Sequence, residues 1–227
     1  MKKYKFQSCD KIDFTKNFLK FSFFFQNGEK DYFDGAILTM PVPQILGLSG
    51  IDSILTQDLK EKLSQVKYNS RYTFGLFYND SNSFKEVFPE SIVHCENSEI
   101  FEKFCLDSVK RGQNDSPASI VFLASKNFSD KYLDTDMSEV QDILGGEVYK
   151  NFIKKSKNWP APNAYKCHRW RFSQVDQPFE GCPKAVVLNS DPPILAGGDA
   201  FVAQSANIGD CIASAYKMTE LISMKMS

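Results

Sequence analysis

The chain has 227 residues, 42% of them apolar and 24% charged, which is ordinary for a folded globular protein and long enough for one large domain or two small ones. Its 27 basic residues against 28 acidic ones give a net charge of −1, which excludes the basic footprint of a nucleic-acid binder. The 20 phenylalanines exceed what a core of this size needs and point to a bulky aromatic core or a binding surface.

Six cysteines, at positions 9, 95, 105, 167, 182 and 211, form no Cys-x-x-Cys pair, and only His94 and His168 are available to join them. No metal site is expected; buried thiols in a reducing compartment are the default. The amino terminus, MKKYKFQSCDKIDF, is basic but lacks the continuous apolar stretch of a signal peptide. FLKFSFFFQ, from Phe18 to Gln26, is apolar, too short to span a bilayer and broken by Lys20. It is expected as a sheet strand or a partner-facing patch, and no membrane association follows.

The clearest strand is Phe33 to Thr39, apolar on both faces and expected to be central and covered on both sides. Pro41-Val42-Pro43 stops it and holds the following loop extended. From Asp52 to Val66, Leu55, Leu59, Leu63 and Val66 recur at helical spacing behind an Asp/Ser cap. RYTFGLFY, from Arg71 to Tyr78, reads as an aromatic strand with Gly75 in its middle. Residues 79–117 carry no strong signal and are expected as a polar excursion. ASIVFLA, from Ala118 to Ala124, predicts another buried strand.

Asp136-x-x-Glu139 forms a capping box ahead of Val140, Leu144, Val148 and Phe152. Gly145-Gly146 weakens that helix by about 1 kcal/mol per glycine relative to alanine, which leaves room for a kink. NWPAPN, ending at Asn163, is expected as a linker. AYKCHRWRFSQV, from Ala164 to Val175, alternates as a strand, with Lys166, His168, Trp170 and Phe172 on one face and Arg169 and Arg171 on the other. Strands and helices interleave throughout, which predicts an α/β or mixed α+β fold.

Near the carboxyl end, the apolar run Ile194, Leu195, Ala196 reads as a buried strand. Gly197 and Gly198 let the backbone approach something closely. Asp199 places a carboxylate at the strand's carboxyl end, where open α/β sheets bind ligands. A helix starting near Asn207 to Asp210 offers backbone N–H groups and a positive dipole end. These parts suit an anionic, hydroxyl-rich ligand such as a nucleotide cofactor; a strand, a turn and a capped packing helix account for the same residues.

Four stretches, FDGAILTMPVPQIL, SRYTFGLFY, KCHRWRFSQV and GGDAFVAQSANIGDCIASA, resemble in this order the renalases of the flavin amine-oxidase superfamily. The match runs from about Asp31 to Leu221, and the Thr-Met-Pro-Val-Pro and Trp-Arg-x-Ser-Gln-Val segments are its most specific parts. The resemblance implies a two-domain FAD-binding oxidoreductase: an FAD domain built on an amino-terminal βαβ unit with a Gly-x-Gly-x-x-Gly turn, and a mixed-sheet substrate domain. It assigns residues 1–50 and 176–227 to the FAD domain and residues 51–175 to the substrate domain.

Carried onto this chain, the resemblance implies FAD as cofactor, with Thr39 and Pro41 beside the FAD domain's sheet. Gly198 and Asp199 meet the ribityl and pyrophosphate region. Ile208, Gly209, Asp210 and Cys211 start a helix aimed at the flavin's pyrimidine edge, which gains negative charge on reduction. Trp170 and Arg171 are the implied substrate contacts, against the competing roles of core aromatic and ion pair. The implied reaction oxidises dihydro isomers of NAD(P)H to NAD(P)+, with oxygen as acceptor and hydrogen peroxide as product. Its partners are a dihydronicotinamide dinucleotide and oxygen. Amine (catecholamine) oxidation is an alternative. The expected compartment is the cytoplasm, with secretion by a family-like route left open.

Three departures qualify this assignment. No Gly-x-Gly-x-x-Gly occurs anywhere in the chain, and the residues before Asp31 are too few for the dinucleotide-binding unit. Gly209 precedes Asp210, whereas the family places its glycine second; a carboxylate facing the reduced flavin would oppose it. Phe172 stands where a histidine is expected, which removes a proton-transfer role there. A truncated, non-catalytic fragment acting as a binding module is therefore the other alternative.

Overall fold

A computed structural model describes residues 9–14, 21–25, 30–79, 90–112, 117–155, 159–203 and 206–226. The fold is mixed α/β and divides into two units, Met1–Tyr68 with Gln174–Ser227, and Asn69–Ser173.

The first unit holds two small sheets. Strands β1 (Cys9–Phe14), β2 (Phe21–Phe25) and β3 (Lys30–Phe33) form an antiparallel meander. The Phe-rich segment thus supplies the middle strand; its residues 18–20 and 26 lie outside the described residues. Strand β4 (Ala36–Leu38) runs parallel to β11 (Pro193–Gly197), which pairs antiparallel with β10 (Ala185–Ser190).

The single strand expected over Phe33 to Thr39 is therefore broken at Asp34-Gly35 into the ends of two sheets. A Cβ on Gly35 would stand 3.1 Å from the Pro193 carbonyl oxygen, so the chain turns where it presses on β11. Among the described residues β4 is the outer strand, with Leu38 buried on one face and Ile37 43% exposed on the other. The expected cover on both faces is met on one only.

Helix α1 (Val42–Leu46) begins where an extended loop is expected. Proline lacks the N–H that the first helical turn leaves unbonded, so Pro41 and Pro43 are tolerated there. Helix α2 (Gln57–Ser64) is shorter than its apolar spacing suggests. Its cap is Thr56, whose Oγ1 accepts the Leu59 N–H at 3.3 Å, while Asp52 and Ser53 lie in a separate tight turn. Val42, Ile45, Ile51, Leu63, Ile194 and Phe201 make the core on one face of the β10-β11-β4 sheet. On the other face Leu195 and Ala185 pack against Met218 of the terminal helix α6 (Ile208–Met226).

The second unit is a five-stranded sheet in the order β6-β7-β8-β5-β9. Its strands are β5 (Lys67–Phe77), β6 (Ile92–His94), β7 (Phe101–Leu106), β8 (Ser119–Ala124) and β9 (Ala164–Gln177). Helices α3 (Asp107–Lys110), α4 (Lys126–Lys131) and α5 (Met137–Val148) complete it. The stretch 79–117 thus contains two strands and a helical turn. Phe101, Phe104 and Leu106 join Tyr72, Phe74, Ile120, Phe122 and Leu144 in the core.

Asp136 caps α5 by accepting the Ser138 N–H at 2.8 Å. The helix is not interrupted at Gly145-Gly146; α5 runs through both glycines and widens only beyond them, at Tyr149–Ile153. A Cβ on Gly145 would touch the Phe74 ring at 3.4 Å, so this glycine lets α5 lie close on the sheet. Trp159 is not in a free linker either: it is buried, and its indole N–H donates to the Tyr78 hydroxyl at 3.0 Å. Among the described residues no helix is long and apolar enough to cross a membrane, and no cluster of His, Cys, Asp and Glu is arranged to hold a metal. Cys95, Cys105, Cys167, Cys182 and Cys211 are free thiols.

Candidate functional site

In the first unit, the candidate residues gather at the carboxyl ends of the parallel pair β4 and β11. Register places Ala196 opposite Leu38, so Gly197, Gly198 and Asp199 leave the sheet beside Thr39 and Pro41. Gly197 explains the close approach the sequence suggests. A Cβ there would fall inside the contact distance of Met218 Sδ and 2.8 Å from its Cε, so only glycine lets α6 lie this near. Gly198 has φ 117° and ψ −161°, a backbone region open essentially to glycine alone. What its missing side chain leaves clear is the Thr39 carbonyl, 3.8 Å from where a Cβ would stand.

Asp199 stays close to its own turn, its Oδ1 accepting the Ala200 N–H at 2.8 Å. Its charge also reaches two neighbours. The Tyr68 hydroxyl is pushed up to about 12, first by burial and then by Asp199, against the Val42 N–H it accepts at 3.2 Å. The Cys211 thiol is likewise raised, first by burial, then by the carboxylates of Asp199 and Asp210. Asp199, Asp210, Cys211 and Tyr68 therefore share one electrostatic neighbourhood.

Asp210 is committed to the helix start. Its Oδ2 accepts the Asn207 N–H at 3.0 Å while Asn207 Oδ1 accepts the Asp210 N–H at 3.1 Å, a reciprocal cap of the kind that closes a helix terminus. Gly209 lies inside this cap, where a Cβ would crowd Asn207 Oδ1 at 3.0 Å. Ile208 is exposed. Ser214 fixes the helix to the strand: buried, it accepts the Gly198 N–H at 2.8 Å and donates to the Lys184 carbonyl. Glycine backbone, a half-buried carboxylate and a helix terminus fit the hydroxyl-rich flavin side of FAD. The adenosine side has no matching glycine turn in these 227 residues.

In the second unit, the sheet has one face on the core and one open. Tyr72, Phe74, Leu76 and Tyr78 point into the core, so Thr73, Gly75 and Phe77 face the other way. On β9 the buried Cys167 marks the core side. Trp170 is 50% exposed and its indole N–H donates to Thr73 Oγ1 at 3.2 Å, which puts it on the open face with Lys166, His168 and Phe172. The His168 ring meets it edge to face, centroids 4.5 Å apart.

Arg171 lies on the opposite side, 3.7 Å from Asp134, beside Arg169, which donates to the Leu133 carbonyl at 2.6 Å. Strand alternation thus separates Trp170 from Arg171. Exposed on both partners, the Arg171–Asp134 pair adds little stability. At the far edge of this sheet a cavity of about 370 Å³, lined by Val93, His94, Glu147, Phe152 and Lys155 among others, contains none of the candidate residues.

No family profile matches the chain. It is 30% identical over 198 residues to the mouse protein Renalase, an alignment covering 86% of this chain and 56% of the relative. Two solved oxidases share its fold at low identity. Cyclohexylamine oxidase from Brevibacterium oxydans superposes with a TM-score of 0.64 at 10% identity, over 97% of this chain and 49% of its own. A putrescine oxidase with bound putrescine gives 0.58 at 11% identity, over 95% and 48%. The chain therefore spans about half the length of the relative and the solved structures it matches.

Three residues of these sites escaped sequence reasoning. Tyr68 and Ser214 carry no local pattern, because each acts on backbone groups distant in sequence. Thr73 had a usable signal, a short polar side chain on the non-core side of an aromatic strand.

Proposed function

We propose that this chain supplies the substrate sheet and the flavin-side strand and helix of an FAD-dependent oxidase of the amine-oxidase type, and that its 227 residues alone act as a binding module. The carrying observation is the grouping of Gly198, Asp199 and the capped start of α6 at the ends of the parallel pair β4 and β11, where open α/β sheets take ligands. In this role Gly198 and Asp199 hold the ribityl hydroxyls, Thr39 and Pro41 wall the cofactor, and residues 208–211 present a helix terminus to the ring. Residues 1–50 and 176–227 then form parts of the FAD domain, and residues 51–175 the substrate domain. FAD, when bound, supplies a two-electron acceptor that oxygen reoxidises, giving hydrogen peroxide.

For the substrate, the open face of the second unit favours a flat, uncharged ring on an anionic carrier. Trp170 and Phe77 offer stacking area there, and Lys103 and Lys166 offer positive charge. Glu102, the carboxylate beside Lys103, is paired with both Lys103 and Arg71 at 3.4 Å. A dihydro isomer of NAD(P)H matches these features better than a cationic amine does, and the likeness to Renalase points the same way. Arg171 acts in this scheme as an ion-pair partner behind the sheet.

The test is anaerobic rapid mixing of the protein, first saturated with excess FAD and shown by its flavin spectrum to hold it, with dihydro isomers of NAD(P)H and, separately, with putrescine and cyclohexylamine. Bleaching by the isomers supports this substrate. Bleaching by amines alone replaces it with amine oxidation, and no bleaching by either removes the oxidase assignment.

A further inference from the structure

We infer that Thr73 is a positioning residue, which fixes the Trp170 indole as a stacking platform for a flat ring on the open sheet face. This rests on reading that face as the substrate face. A tryptophan that is 50% exposed on a flat strand is ordinarily free to change rotamer. Here two contacts hold it. Its N–H donates to Thr73 Oγ1 at 3.2 Å across neighbouring strands β5 and β9, and its ring meets His168 edge to face at 72°.

Threonine suits this task because its branched side chain is stiff at χ1 and keeps the acceptor oxygen in place. Next along the same face, Gly75 has no side chain and the Phe77 ring lies over its position, 3.3 Å from where a Cβ would be. The result is a row of exposed aromatic surface, Trp170 and Phe77, with the indole N–H occupied. Fixing a ring before the ligand arrives lowers the entropy lost on binding. All of these groups stand on the side away from the core, so this arrangement adds little to the stability of the fold.

The chain contains two tryptophans, so a nitrogen-15 spectrum shows two indole N–H signals, and Trp170→Phe assigns them. Thr73→Val keeps shape and strand preference but removes the acceptor; Thr73→Ser keeps it. Expected are an unchanged melting temperature, a shifted and faster-exchanging Trp170 indole signal in Thr73→Val, and recovery in Thr73→Ser. Nicotinamide, used as the flat-ring probe, should shift the Trp170 signal. Losing one neutral hydrogen bond should weaken that binding about fivefold in Thr73→Val, with recovery in Thr73→Ser.

An unchanged Trp170 signal in Thr73→Val overturns the positioning role, as does equal nicotinamide affinity in wild type and variant. If nicotinamide leaves Trp170 unmoved in the wild-type chain while Thr73→Val still disturbs the indole, the substrate-face reading is what fails.

Discussion

Gly197→Ala tests why the terminal strand ends in two glycines. The added methyl would sit inside the contact distance of Met218 Sδ, 2.8 Å from its Cε and 2.9 Å from its Cγ. Three atoms of one buried side chain are engaged, including one near its root, so rotating the tip alone does not relieve the clash. Met218 is 6% exposed, wedged between α6 and Leu195. Overpacking of this kind costs about 1–3 kcal/mol. Gly197 is not among the glycines with positive φ, so backbone strain adds nothing and the loss is purely steric.

Met218→Ala alone should cost about 2–5 kcal/mol as a buried truncation. In that background the methyl added at position 197 enters vacated space, so Gly197→Ala should be neutral or slightly stabilising, giving a coupling of about 1–3 kcal/mol in the double-mutant cycle. Urea denaturation of the four proteins measures it. Equal destabilisation by Gly197→Ala in both backgrounds would refute close helix approach as the reason for this glycine.

Three other outcomes are expected. Asp199→Asn and Asp210→Asn each remove a negative charge that raises the Cys211 thiol, so more thiolate forms at a given pH. Iodoacetamide labelling at Cys211, followed by peptide mass spectrometry at pH 8, should be faster in both; slower labelling contradicts the shared neighbourhood. Tyr68 is held up to about 12 in the folded protein against 10 unfolded, so the folded state keeps the proton longer and stability falls as pH rises from 10 to 12. Tyr68→Phe should flatten that part of the stability profile, and an identical decline in both proteins would disprove the linkage. Finally, the purified 227-residue chain should be colourless and take up FAD weakly in a fluorescence titration, because its contacts reach only the flavin side; stoichiometric yellow protein would refute this.

The sequence by itself determined the elements whose signal lies within a few residues. Ile120, Phe122 and Ala124 alternate into the core as strand spacing requires, and Val140, Leu144 and Val148 bury one helical face behind Asp136. The buried run 194–196, the glycine pair and the helix from Asn207 were legible for the same reason: side-chain periodicity and capping are local properties. Alternation along β9 also separated Trp170 from Arg171.

The rest depended on partners far away in sequence. Residues 79–117 hid two strands because Phe101 and Phe104 become core positions only once β7 pairs with β8. Trp159, in an apparent linker, is drawn inward by the Tyr78 hydroxyl 81 residues earlier. Gly197 needed Met218, Gly198 needed Ser214, and Tyr68 needed Val42 and Asp199 before any had a stated role. Even the two-glycine ending, visible at once as a motif, divides into two causes only in three dimensions. One glycine admits a helix by sterics, and the other turns the backbone through a conformation that side chains forbid.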